Sequence, residues 1–210
     1  MVKAILFDID DTLIKTFETK KEALKDMGRK FYNTVLTDED IRPHWGKPIK
    51  DLLPILYKDL KDLEEGFERY VIERENYPTI AYEDTLPTLN QLSKKYILGM
   101  ITNKSKRYIK NDLDLAGISN DLFFLIQTEE ENRAHKPDPK VFDFALQELN
   151  SKGIEKEEVL YVGDTISDFL AANGAGISFY GVADRTTPKE EFSNRNVKTI
   201  KNISELINLL

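Results

Sequence analysis

The chain has 210 residues, enough to bury a substantial core as one domain or as one domain carrying an insert. Hydrophobic residues at 40% and charged residues at 32% describe a folded, soluble chain rather than a disordered one. A net charge of -7 argues against nucleic acid or an anionic membrane surface as the main partner, and the absence of cysteine excludes disulfides and thiol catalysis.

A cysteine-free chain fits a reducing cytoplasm. The opening Met1-Val2-Lys3-Ala4-Ile5-Leu6-Phe7-Asp8 is too short and too soon interrupted for a secretory leader. No stretch approaches the roughly 20 apolar residues of a membrane helix. The expectation is a cytoplasmic protein, monomer or homodimer, that meets neither membrane nor nucleic acid.

In chain order, Ala4–Phe7 is a short apolar run that ends in acids and predicts a buried strand. Residues 15–82 then lack any strand pattern. They carry helical spacing over 17–35 and 49–76, with a loop at 42–48 between. Thr85 is placed to cap the next helix, whose Leu86, Leu89 and Leu92 keep three-residue spacing into a second strand, Ile97–Ile101. Further strands are expected at 123–126, 159–162, 177–182 and, more weakly, 197–200. Helical patterns at 141–149 and 203–210 complete the alternation. Strands alternating with helices predict an α/β fold, a doubly wound parallel sheet with helices on both faces. Residues 1–14 and 83–210 form the core in this reading, and 15–82 a small helical insert after the first strand.

Ligands of such sheets collect at the carboxyl ends of the strands. Asp8 and Asp10 follow the first strand, Thr102 and Asn103 the second, and Asp164 and Asp168 the fourth, while Lys136 lies in a loop between. Converging carboxylates need a cation to tolerate one another, and a hard divalent metal with a lysine facing phosphate satisfies the set. A carboxylate at Asp8 is ionised at neutral pH and can attack phosphorus. Asp10 can protonate a leaving oxygen and then activate water, and Thr12 can orient Asp10 or tighten the turn. Taken singly, each residue has an ordinary reading: a polar turn, a solvated lysine, or Asp164 capping a helix that starts near Thr165. The basic residues Lys104, Lys106, Arg107 and Lys110 read as a solvated helix face, and Gly163 as a residue that permits a tight turn.

The motifs Asp8-Ile9-Asp10-Asp11-Thr12, Ile101-Thr102-Asn103, Lys136-Pro137-Asp138-Pro139 and Gly163-Asp164 through Asp168 occur in order. Together they resemble the signature of the haloacid dehalogenase-like (HAD) hydrolases, in the phosphoglycolate phosphatase-like branch with a helical cap. The resemblance implies a Rossmann-like core, Mg²⁺ as cofactor and a small phosphorylated metabolite as substrate. It implies that Asp8 is nucleophile and metal ligand, and that Asp10 is acid/base and gives its carbonyl to the metal. Thr102, Asn103 and Lys136 hold the phosphoryl group, and Asp164 and Asp168 support the metal. In the cap loop, Lys47, His44 or Arg42 would meet the leaving group while Trp45 packs the helices. Asp10 itself argues against dehalogenation, since dehalogenating relatives lack that acid.

Two positions depart from the common pattern, Asp11 where many relatives have glycine and Lys15 where many have an acid. The expected activity is hydrolysis of a phosphomonoester through an aspartyl-phosphate. Pyrophosphate hydrolysis, phosphoryl transfer within one molecule, and a non-catalytic phospho-ligand regulator are the alternatives.

Overall fold

The computed structural model describes residues 1–45, 49–131 and 134–210. The chain divides into two compact units, Met1–Lys15 with Ile80–Leu210, and Thr16–Thr79.

The first unit is built on six parallel strands: β1 (Ala4–Phe7), β2 (Ile97–Ile101), β3 (Leu125–Gln127), β4 (Val159–Gly163), β5 (Ser178–Val182) and β6 (Thr199–Ile200). Their order is β3-β2-β1-β4-β5-β6. Every pairing is parallel, so each strand is joined to the next by a crossover. Side chains of β1 alternate between two cores, which is why an uninterrupted apolar tetrapeptide suits the centre of the sheet. Ile5 and Phe7 pack with Leu89, Leu113 and Val162 on one face, and Ala4 and Leu6 pack with Phe142, Leu149 and Tyr161 on the other.

The chain adds strands to one side of β1 and then crosses to build the other side. The switch falls between β1 and β4, where neighbouring crossovers diverge and open a crevice at the strands' carboxyl ends. Phe7 is in register with Met100 of β2 and Val162 of β4. Residues just beyond these three positions therefore share one edge.

The second unit is helical: Thr16–Phe31, Asp38–Ile41, Ile49–Leu56 and Leu63–Arg74. Its own core holds Leu24, Met27, Leu53, Tyr57 and Tyr70. Tyr57 stacks on Tyr32 with ring centroids 4.6 Å apart and donates its hydroxyl to the Leu24 carbonyl at 2.6 Å. Trp45 packs edge-on against Phe17 at 4.9 Å, and the Arg42 guanidinium lies 4.4 Å from the centre of the same ring. The helical pattern read over 49–76 is two helices. Asp62 splits it by accepting from the backbone N–H groups of Glu64 and Glu65, capping the second.

Thr85 does not cap its helix. It is buried, and its hydroxyl donates to the Leu13 carbonyl at 2.8 Å, tying the helix Thr85–Leu92 to the turn after β1. Among the described residues no helix is long and apolar enough to cross a membrane. Thr85→Val should cost about 0.5–1.5 kcal/mol, the net worth of one hydrogen bond, because the Leu13 carbonyl keeps a second donor in the Tyr82 N–H at 3.1 Å. Urea melts of the two proteins measure it, and equal midpoints would show the bond to be dispensable.

Candidate active site

Asp8 extends β1 by one residue, and its N–H donates to the Val162 carbonyl of β4 at 2.9 Å, so the backbone fixes where the carboxylate leaves the sheet. Asp164 extends β4 by one residue. The helix Ile166–Ala175 then begins with a reciprocal cap: Asp168 N–H donates to Thr165 Oγ1 at 3.1 Å, and Thr165 N–H donates to Asp168 Oδ2 at 3.0 Å. Thr165 is the N-cap, not Asp164. The cap orients Asp168 so that its other oxygen faces the sheet edge. Gly163 serves this geometry through space rather than turn conformation, because a Cβ there would lie 2.5 Å from Asp168 Cγ.

Lys136 reaches in from its loop. Its Nζ donates to Asp8 Oδ1 at 2.6 Å, to Asp168 Oδ1 at 2.6 Å and to Tyr161 Oη at 2.9 Å. Asn103 holds the loop from β2: Lys136 N–H donates to Asn103 Oδ1 at 3.1 Å, and Asn103 Nδ2 donates to the Lys136 carbonyl at 3.3 Å. Thr102 is buried, its N–H donating to the Gln127 carbonyl at 3.0 Å. Its hydroxyl accepts from Lys104 N–H at 3.1 Å.

Ligand oxygens of Asp8, Asp164 and Asp168 lie within 4.8 Å of one another, all three buried. Among the described residues, Lys136 Nζ is the ammonium bonded to this group, through Asp8 and Asp168. Thr12 donates its hydroxyl to Asp164 Oδ1 at 3.1 Å, a role different from orienting Asp10, while Asp164 Oδ2 is buried without a hydrogen bond. Burial and the neighbouring acids Asp11, Asp168 and Asp8 push Asp164 well above the usual carboxylate range, with Thr186 offsetting a part. Burial likewise lifts Asp8 from 3.8 to about 7; Lys136 opposes the rise, and Asp168 and Asp10 add to it. Desolvation thus outweighs the lysine in setting the proton affinity of Asp8. An all-oxygen set carrying surplus negative charge and one orphaned oxygen fits a hard divalent cation. This buried cluster can bind a metal.

The side chain of Asp10 is outside this cluster. Lys104 Nζ donates to Asp10 Oδ1 at 2.7 Å and also reaches Asp112 Oδ2 at 2.5 Å. Lys104 is thus mostly shielded, its side chain 10% exposed, rather than part of a solvated face, and two acids raise its pKa against the opposing effect of desolvation. Asp11 is buried at φ 56°, and the Arg185 guanidinium donates to its carbonyl at 3.3 Å and to the Thr12 carbonyl. Arg185 also stacks 3.5 Å from the centre of the Tyr82 ring. Lys15 Nζ lies 5.6 Å from that ring centre, and His135 is exposed. Lys47 lies outside the described residues. Lys104, Tyr161 and Arg185 are site residues that the sequence patterns did not single out. Only the lysine following Thr102-Asn103 offered a signal, through its place in the second motif.

Residues 5–182 match the model of the haloacid dehalogenase-like hydrolases. The chain belongs to this family. It is 30% identical over 184 residues to the pyrophosphatase PpaX of Bacillus velezensis, covering 87% of this chain and 83% of the relative. Among solved structures it resembles a protein of Bacteroides fragilis assigned as a haloacid dehalogenase-like hydrolase. The two share 30% identity at a TM-score of 0.78, covering 98% of this chain and 100% of the other. A protein of Thermotoga maritima assigned as a β-phosphoglucomutase shares the fold at a TM-score of 0.84 and 24% identity, over 99% of this chain and 98% of the other. The chain is an enzyme of the phosphatase type.

The acid cluster has a consequence for stability. Asp8 binds its proton more tightly in the folded state than in the unfolded chain, so its contribution is full below its ordinary value of 3.8 and lost as pH rises through about 7. The metal-free protein should lose several degrees of melting temperature between about pH 5 and pH 8, and Mg²⁺ should reduce that loss by favouring the charged form. Melting scans across this range with Mg²⁺ or with EDTA check it. Superimposable pH profiles in the two would contradict it.

Proposed function

We propose that the chain hydrolyses a small phosphomonoester by passing its phosphoryl group first to Asp8 and then to water. The supporting observation is the buried meeting of Asp8, Asp164 and Asp168 at the carboxyl edge of β1 and β4, with Lys136 Nζ bonded to Asp8 and Asp168. In the first step an Asp8 carboxylate oxygen bonds to phosphorus, the ester P–O bond breaks, and the departing oxygen takes a proton from Asp10. In the second step a water oxygen bonds to phosphorus while Asp10 takes a water proton. The Asp8–phosphorus bond then breaks, giving inorganic phosphate and the free carboxylate.

Charge placement and alignment carry most of such a reaction, because a loose phosphoryl transition state needs little bond-making assistance. Lys136 is assigned to the phosphoryl oxygens, where substrate would take over part of its present contact with Asp8. Thr102 is assigned the same role from the end of β2, with Asn103 holding the lysine loop through both its backbone groups. Mg²⁺ is the proposed cation, held by Asp8, Asp164 and Asp168 with the carbonyl of Asp10. When bound it would neutralise the acid cluster and the phosphate charge.

Asp8→Asn should abolish release of p-nitrophenol from p-nitrophenyl phosphate in Mg²⁺, by at least about a thousandfold, without lowering the melting temperature. Full turnover in that variant would remove Asp8 as nucleophile.

A second reading on the same site is pyrophosphate hydrolysis, favoured by the Bacillus velezensis relative's assignment as a pyrophosphatase. A phosphate anion would then depart in place of an alcohol. If pyrophosphate is the better substrate, kcat/KM for it should exceed that for p-nitrophenyl phosphate and for simple alkyl phosphates in a phosphate-release assay. Turnover of the esters with no release from pyrophosphate would dismiss this reading.

A further inference from the structure

The helix Lys106–Ala116 buries an acid. Asp112 is fully buried there beside Ile109, Leu113 and Ala116, on the face where an amphipathic helix places apolar side chains. A carboxylate in that position is costly unless it is paired. Its partner is Lys104, whose Nζ sits 2.5 Å from Asp112 Oδ2 and 2.7 Å from Asp10 Oδ1. The backbone of Lys104 is fixed as well. Its N–H donates to Thr102 Oγ1 at 3.1 Å, and its carbonyl accepts from Glu129 N–H at 3.0 Å.

The three side chains grade from inside to outside. Asp112 is sequestered, Lys104 is 10% exposed and Asp10 is 31% exposed. A sealed anion orders a nearly sealed cation, and that cation grips the most accessible acid of the edge. Stability alone gives no reason for this arrangement, since a well-packed apolar pair in place of Lys104 and Asp112 would hold the helix at least as firmly. Neither residue belongs to the cluster of Asp8, Asp164 and Asp168.

We propose that Asp112 and Lys104 are positioning residues that set the placement of the Asp10 carboxylate relative to the scissile bond. The proposal rests on the reading of Asp10 as the group that moves the leaving-group proton. Such a transfer depends steeply on the donor's placement, so loosening its anchor costs rate even though the anchor touches no substrate. The cost falls unevenly. An alkoxide leaves poorly without a proton, whereas p-nitrophenolate leaves readily as an anion.

The test compares kcat/KM for glycerol phosphate and p-nitrophenyl phosphate, a parameter that reports transfer to Asp8. Asp10→Asn supplies the reference signature, a larger loss on the alkyl ester. Lys104→Met should reproduce it, with about a tenfold or greater loss on glycerol phosphate and less than about threefold on p-nitrophenyl phosphate. Lys104→Arg should recover most of the alkyl-ester activity. If Lys104→Met fails to fold because it strands the Asp112 charge, the double variant Lys104→Met/Asp112→Leu removes both charges and should show the same split. Should Asp10→Asn show no split, the reading of Asp10 falls and the proposal with it. If Asp10→Asn shows the split, but the folded double variant loses equally on both esters or loses nothing, the positioning proposal alone is overturned.

Discussion

Everything at the carboxyl edge of this sheet depends on one ammonium group placed against more negative charge than it can neutralise. Lys136 Nζ is 2.6 Å from oxygens of both Asp8 and Asp168, and Asp164 completes the group from the end of β4. Removing one carboxylate from water is costly, and among the described residues three are gathered here with a single lysine, which leaves the set short of positive charge. Burial first, and the neighbouring acids after it, raise the proton affinities of Asp8 and Asp164, and one Asp164 oxygen is buried without a hydrogen bond. On the proposed function, a divalent cation and a phosphoryl group would together supply the balance that Lys136 does not.

The scaffold makes this crowding possible. β1 and β4 are hydrogen-bonded neighbours in parallel, and the residue just past the end of each, Asp8 and Asp164, brings its acid to the same edge. The reciprocal cap at Thr165 and Asp168 gives helix initiation and carboxylate orientation from the same atoms. Tyr161, reaching up from the core face of β4, accepts from Lys136 and donates to Asp168 at 2.9 Å, so the hydrophobic layer and the polar cluster meet at one hydroxyl. Arg185 secures the turn after β1 through the Asp11 and Thr12 carbonyls, and Thr12 in turn holds Asp164.

Much of this was legible in the residues. Apolar runs ending in acids located β1 and β4, and the strand-and-helix alternation implied the parallel sheet whose edge gathers Asp8, Lys136, Asp164 and Asp168. What escaped the sequence was anything decided by a tertiary partner. Lys104 stands among three other basic residues and looks like one more solvated charge; only folding brings Asp10 and Asp112 to it. Tyr161 reads as one more apolar strand residue, because nothing local reveals that its hydroxyl meets a lysine 25 positions away. Thr85 looks like a cap because caps are local, whereas its bond goes to Leu13, 72 residues back in the chain. Asp164 lost the capping role to Thr165 by a single residue, a distinction set by backbone angles rather than composition.

The most direct measurement is anomalous X-ray scattering from crystals soaked in Mn²⁺ as a stand-in for the proposed cation. The account predicts one strong manganese peak per chain, among the oxygens of Asp8, Asp164 and Asp168. A saturating soak that leaves this position empty, or places the ion among other side chains only, would contradict it.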